Sequence, residues 1–221
     1  MTIISFQHKI GFIKTTKTAG TSIEADLAAR LEPEAVVTPI FPPAAGHEPR
    51  NYKNSTGERL FYNHMTAHDI RARLGPELFG DIYWFCVERE PVAKCISHFH
   101  MLKNRHDAHG LPAAERDALT WPGYIAEREF PVDHHKYVDL DDGQTVIVDE
   151  IINFDDLENR LPALLAERGV PGFKLQQRLK SEYSRTPHIH LADVAPYERS
   201  IIQSDFAETL RLCAAMGCRF C

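Results

Sequence analysis

The run "DIYWFCVERE" (81–90) constrains the fold most. Aromatic and β-branched over its middle and ending in charge, it reads as the strongest strand of the chain. Pro91 follows at once and suits the first turn of a helix, where its missing N–H is no loss. That helix carries Val92, Cys95, Ile96, Phe99 and Leu102 on one face. The same order recurs upstream. "IGFIK" (10–14) is a short apolar strand, and from Gly20 onward Ile23, Leu27 and Leu31 return at helical spacing. Further strands are expected at "RLFYNHM" (59–65) and "QTVIVDEIINF" (144–154). "DDLENRLPALLAERG" (155–169) is expected as a helix, opened by Asp-x-x-Glu and stopped by Gly169, with Pro162 disturbing its middle. Residues 195–217 read as one long amphipathic helix ending at Gly217. Strands alternating with helices predict a three-layer α/β domain with a mainly parallel central sheet. A chain of 221 residues suffices for one such domain with a full core. Two segments lack a pattern: 32–57, rich in Pro, Gly and Asn, and 103–143, rich in His, Asp and Pro. Both are expected as loops or short helices laid over the core.

A formal net charge of -6 excludes a surface that broadly attracts nucleic acid or an acidic membrane, so any anion site must be a local basic pocket. No apolar run is long enough to span a bilayer, and the first residues lack the pattern of a signal peptide. Cys86, Cys95, Cys213, Cys218 and Cys221 are odd in number and show no framework spacing. Free thiols in a reducing cytoplasm are expected. The single C-x-x-C at the end of the chain cannot complete a zinc site.

Two strand–helix junctions carry the chemistry. "KTTKTAGTS" (14–22) joins a strand to a helix N-terminus, where unpaired N–H groups and the helix dipole favour an anion. Lys14 and Lys17 bring charge, Thr18, Thr21 and Ser22 bring hydroxyls, and Ala19 and Gly20 let the backbone approach. The plainer alternative is a turn whose threonines cap the helix. At the second junction, "EREPVAKCISHFH", Arg89 ends the strand and Ser97 lies eight residues on. A guanidinium fork and a hydroxyl there can hold a second phosphate, unless Arg89 pairs with Glu88 or Glu90. Both junctions are expected at the carboxyl ends of strands, where ligands bind such sheets.

Lys17-Thr18-Ala19-Gly20-Thr21-Ser22 resembles the 5'-phosphosulfate loop of sulfotransferases that use 3'-phosphoadenosine 5'-phosphosulfate, in which lysine precedes the small residues. Arg89 and Ser97 in "REPVAKCISHF" resemble that family's 3'-phosphate motif. "FYNHMTAHDI" is similar to the segment carrying the catalytic histidine in the carbohydrate group that includes heparan sulfate 2-O-sulfotransferase, which places that role at His64. The C-terminal pattern also fits that group, with Lys180 and Ser181 resembling a loop that closes over the nucleotide. Residue Ile23 stands where an aromatic often follows the first loop, and 103–143 matches no part of the family. The resemblance implies a single P-loop-like sulfotransferase domain over 1–221, with 103–143 read as an acceptor-side insertion. It implies 3'-phosphoadenosine 5'-phosphosulfate as co-substrate and a hydroxyl acceptor such as a carbohydrate or small alcohol; the net charge, separately, predicts no nucleic-acid partner.

No metal is expected. Lysine and backbone donors can stabilise a leaving phosphate without the magnesium bridge that Gly-Lys-Ser/Thr serves. Among twelve histidines, His64 is the expected general base, with His68 next and a structural histidine as the alternative. His98 and His100 flank Ser97 and are expected to shape the pocket. His188-x-His190 and His134-His135 lack the carboxylate or cysteine that would complete a metal set. Two other readings stay open: a P-loop nucleotide-dependent kinase, and a nucleotide-binding relative without catalysis.

Overall fold

The structure is a computed structural model that describes residues 2–220 except 42, 44, 45, 108, 178, 180–182, 184 and 185. Among the described residues a five-stranded open sheet runs in the order β3-β1-β2-β4-β5. The strands are β1 (Thr2–Ser5), β2 (Ile10–Ile13), β3 (Val36–Val37), β4 (Tyr83–Glu88) and β5 (Glu150–Asn153). The sheet is mixed, not mainly parallel. β2–β4 and β4–β5 are parallel, while β1 pairs antiparallel with both β2 and β3. The cause is a hairpin at the start of the chain, which sets Thr2 opposite Ile13 and Ser5 opposite Ile10. Lys9 takes a left-handed φ of 50° in its turn.

Side-chain alternation along β4 explains why the sheet is covered on both faces. Trp84 and Cys86 join a core with Ile4, Ile13, Ile70 of α2 (Ala67–Leu74) and Phe79 of α3 (Pro76–Gly80). Phe85 and Val87 face the other way, into a core with Phe12, Ile23 and Leu27. That face is covered by α1 (Gly20–Ala28) and α7 (Leu157–Glu167). A third cluster joins Val92, Cys95 and Phe99 of α4 (Pro91–Asn104) to Trp121 and Tyr124 of α6 (Trp121–Glu127). Segment 103–143 therefore holds structure of its own: α5 (Ala113–Ala118), α6 and a short 3-10 turn at His134–Lys136.

The strand expected over 144–154 is shorter, Glu150–Asn153, and two further expected elements differ in kind. Residues 59–65 form no strand; the segment joins only an isolated bridge, Lys53 to Arg59. Phe61 and Met65 still reach the core, and Thr2 Oγ1 donates to the Tyr62 carbonyl at 3.2 Å. The expected helix over 195–217 is two helices, α8 (Pro196–Asp205) and α9 (Ala207–Ala215). The break falls at Phe206, whose ψ of 8° leaves the helical range while its ring buries in the α4–α6 cluster. The burial of one large ring outweighs the few tenths of a kcal/mol that continuous helix propensity offers (~0.7 at most per ordinary residue).

β2, β4 and β5 are mutually parallel, so their carboxyl ends lie on one edge. Lys14, Arg89 and Phe154 are the first residues beyond them. No helix among the described residues is long and apolar enough to cross a membrane.

Candidate functional site

A cavity of about 640 Å³ opens at that edge. Its wall includes all of Lys14 to Ser22, together with His64, Arg89 and Ser97. Two junctions 75 residues apart in sequence are thus brought to one cavity by the parallel pairing of β2 with β4, which sets Ile13 beside Cys86. Lys180 and Ser181 lie outside the described residues.

The loop is held by its own hydroxyls. Thr15 and Thr18 share a hydrogen bond of 2.8 Å, and the Thr15 hydroxyl also donates to the Val87 carbonyl. Thr18 is fully buried, so its hydroxyl braces the loop from beneath. Lys14 turns under the helix: its Nζ donates to Thr21 Oγ1 at 2.9 Å and lies 3.8 Å from Glu24. Gly20 makes that path possible, because a Cβ there would meet Lys14 Cγ at 2.6 Å. Ser22 Oγ accepts from the Leu179 amide at 3.0 Å, tying the segment that roofs the cavity to α1. Threonine capping does not account for the loop, since no side chain caps α1. Lys17, with its ammonium 5.7 Å from the Tyr183 ring centre, is the loop's second charge.

Backbone strain concentrates here. Among the described residues six non-glycines have positive φ, and three of them line this cavity: Lys17 (63°), Ala19 (58°) and His64 (61°). Each such residue costs on the order of 1 kcal/mol, a cost that persists where surrounding structure imposes it. Left-handed residues within a loop turn successive amides toward a common point and so form an anion cradle.

Arg89 is not paired to Glu88, whose carboxylate is held by Lys94 at 2.7 Å. Its guanidinium lies 4.5 Å from the Phe154 ring centre, and its buried Nε has no hydrogen-bond partner among the described residues. Burial lowers its affinity for a proton somewhat, with Asp155 and Glu90 opposing that. Ser97 lies two turns into α4, a helix opened by Pro91 and capped by Glu90, which accepts from the Ala93 amide at 2.7 Å.

His64 Nδ1 is 3.2 Å from the Lys14 carbonyl and 3.4 Å from Lys136 Nζ. The carbonyl can only accept and the ammonium can only donate, so the two contacts call for opposite tautomers; the shorter, to the carbonyl, favours the proton on Nδ1 and the lone pair on Nε2. Burial, aided by positive charges that include Lys136 and Lys14, pushes the imidazole down to about 3. His68 does not line the cavity; its Nδ1 meets Asp139 at 3.0 Å, and Asp139 also takes Arg71 at 2.7 Å. His98 and His100 do not line it either. His98 meets the Tyr124 hydroxyl at 3.0 Å and is pushed down to about 4 by burial and by Lys17, while His100 accepts from the His188 amide.

His64 and His98, the two histidines depressed furthest, predict acid sensitivity. Both are neutral when folded, and the unfolded chain protonates them below about pH 6.5. Their contribution is complete above that pH and is lost as pH falls toward about 4 for His98 and about 3 for His64. The slope from each is at most ~1.4 kcal/mol per pH unit. Urea midpoints of wild type should fall between pH 7 and 4.5, and fall less steeply in a His64→Asn/His98→Gln variant. Equal slopes would show that other groups set the acid limit.

Sequence reasoning did not single out Lys94, Asp133 or the adjoining Thr16 contact. Asp133 is 3% exposed, ion-paired to Lys136 and 3.0 Å from Lys94 Nζ, and it accepts the Thr16 amide at 2.5 Å. Opposing its burial, Lys94 and Lys136 hold its carboxyl far below the usual range. These partners are about 40 and 117 residues from Asp133 in sequence, and no local pattern announces them.

No protein-family profile matches the chain, and no solved structure does. An uncharacterized protein of Archaeoglobus fulgidus is 31% identical over 114 residues, which are 48% of this chain and 84% of that protein. At that identity and coverage, the chain belongs to one family with this archaeal protein.

Proposed function

We propose that the cavity binds a nucleotide with two separated phosphates and that the protein is a sulfotransferase using 3'-phosphoadenosine 5'-phosphosulfate. One observation carries the reading: the lysine-first loop, Arg89, Ser97 and His64 line a single cavity at the carboxyl ends of parallel strands. The orphaned Arg89 Nε fits a phosphate oxygen, since a buried donor without a partner is costly. The P-loop-like sulfotransferase fold, the cytoplasmic location and the acceptor role of 103–143 belong to the same proposal.

In this reading the 5'-phosphosulfate lies in the Lys17–Ser22 cradle and the 3'-phosphate against Arg89 and Ser97. The acceptor oxygen attacks sulfur, its proton passes to His64 Nε2, and the bond from sulfur to the bridging phosphate oxygen breaks. Adenosine 3',5'-bisphosphate leaves with the electron pair, its new charge met by Lys17 and the loop amides. The acceptor class is best found by screening hydroxyl compounds with labelled sulfate donor. Transfer to a sugar or small alcohol supports the reading; nucleotide binding with no transfer to any acceptor favours the non-catalytic alternative.

Arg89→Ala should remove most of the preference for adenosine 3',5'-bisphosphate over adenosine 5'-phosphate. A charged hydrogen bond of this kind is worth ~1.5–3 kcal/mol, or about 10- to 100-fold in affinity. An unchanged preference in calorimetry would show that Arg89 does not meet the 3'-phosphate. Turnover should also persist in EDTA, because in the proposed reaction lysine and the loop amides stabilise the leaving phosphate without a magnesium bridge. Complete loss on chelation, restored by magnesium, would favour the kinase.

A further inference from the structure

Asp133 and Lys136 come from the segment that matches no part of the sulfotransferases, yet both reach the loop. Asp133 Oδ2 accepts the Thr16 amide at 2.5 Å, and Oδ1 accepts the Thr16 hydroxyl at 3.2 Å. That same hydroxyl accepts from Lys136 Nζ at 3.2 Å. Lys136 is ion-paired to Asp133 and stands 3.4 Å from His64 Nδ1. Lys94, fully buried on α4, holds Asp133 from the far side and bonds Glu88 at the end of β4. The carboxylate thus joins four pieces: the loop, the α4 helix, the end of β4 and the backing of His64.

Resting on the proposed nucleotide reading, we infer that Asp133 is a positioning residue for this site. Its carboxylate clamps the loop at Thr16, next to Lys17, and holds the loop in its left-handed, anion-ready shape. Three features support this. Thr16 lies between the two loop lysines, so fixing both its amide and its hydroxyl fixes where Lys17 begins. Lys17 and Ala19 are held at φ 63° and 58°, shapes that need outside restraint. The clamp is also two-pronged, which sets orientation as well as distance.

The test uses Asp133→Asn, which keeps the shape and removes the charge. Asp133→Asn/Lys136→Met restores the charge balance should the single variant not fold, and Thr16→Val removes one prong with every charge intact. Two readouts are combined: hydrogen–deuterium exchange of the 14–22 peptide against the β4 peptide, and affinity for adenosine 5'-phosphate against adenosine 3'-phosphate. The clamp predicts at least about tenfold faster exchange in the loop with β4 unchanged. Affinity for the 5'-phosphate should fall about 10- to 100-fold, the worth of one charged hydrogen bond, with the 3'-phosphate unaffected. Unchanged loop exchange in a folded variant overturns the inference. So does a parallel loss of both affinities with melting temperature, the mark of a merely structural aspartate. If wild type binds neither nucleotide while the loop loosens as expected, the nucleotide reading fails and the clamp stands.

Discussion

Replacing His64 by asparagine is expected to lower turnover by ~10²–10⁴, the usual contribution of a positioned general base, with affinity for adenosine 3',5'-bisphosphate nearly unchanged. Asparagine is the informative choice because position 64 has φ 61°, a conformation it tolerates better than alanine. The imidazole meets the Lys14 carbonyl through Nδ1, which in the proposed mechanism leaves Nε2 to take the acceptor's proton. Pushed down to about 3, the free ring is wholly in its base form at neutral pH. Burial is the largest cause of that depression, so in the proposed reaction an anionic donor would offset only the part due to the neighbouring positive charges. Measuring kcat and nucleotide affinity together separates the outcomes. Wild-type turnover in the variant would place the base elsewhere. Joint loss of binding and thermal stability would make His64 a structural histidine.

Lys17→Ala is expected to reduce both nucleotide affinity and turnover, the latter by ~10²–10³. The two loop lysines are not equivalent. Lys14 is buried, bonded to Thr21 and close to Glu24, so its charge is largely answered within the protein. Lys17 stands beside the cradle and lines the cavity. In the proposed reaction its charge would meet the phosphosulfate in ground state and transition state alike, so KM and kcat should both change. Lys14→Ala, in contrast, should cost mainly stability, by opening space beneath Gly20 and removing the ion pair with Glu24. A Lys17→Ala variant with full turnover would remove lysine from the proposed leaving-group stabilisation.

The site was more legible than the sheet. Both junctions showed in sequence because each pairs an apolar strand with a local signal, a lysine and hydroxyl loop in one and Arg-x-Pro in the other. The parallel strands β2, β4 and β5 carry the apolar runs that marked them. The hairpin was hidden because its turn, Phe6 to Lys9, contains no Gly, Asn or Pro, and Lys9 takes φ 50° against its preference. Residues 59–65 have strand composition, but they pair with no strand of the sheet and bury Phe61 and Met65 without a ladder. The break at Phe206 is invisible to helical periodicity, because the pattern continues across it while tertiary packing bends the backbone. Asp133 was illegible for a related reason: its meaning lies in contacts with Lys94, Thr16 and Lys136 that only the folded chain assembles.

The central claim is that one cavity holds two separated phosphates, and calorimetric titration of the wild-type protein tests it most directly. Adenosine 3',5'-bisphosphate should bind at least tenfold more tightly than adenosine 5'-phosphate or ATP, reflecting at least ~1.4 kcal/mol from the Arg89 and Ser97 side of the cavity. Equal affinity for the bisphosphate and the monophosphate, or tighter binding of magnesium–ATP than of either, would contradict the account.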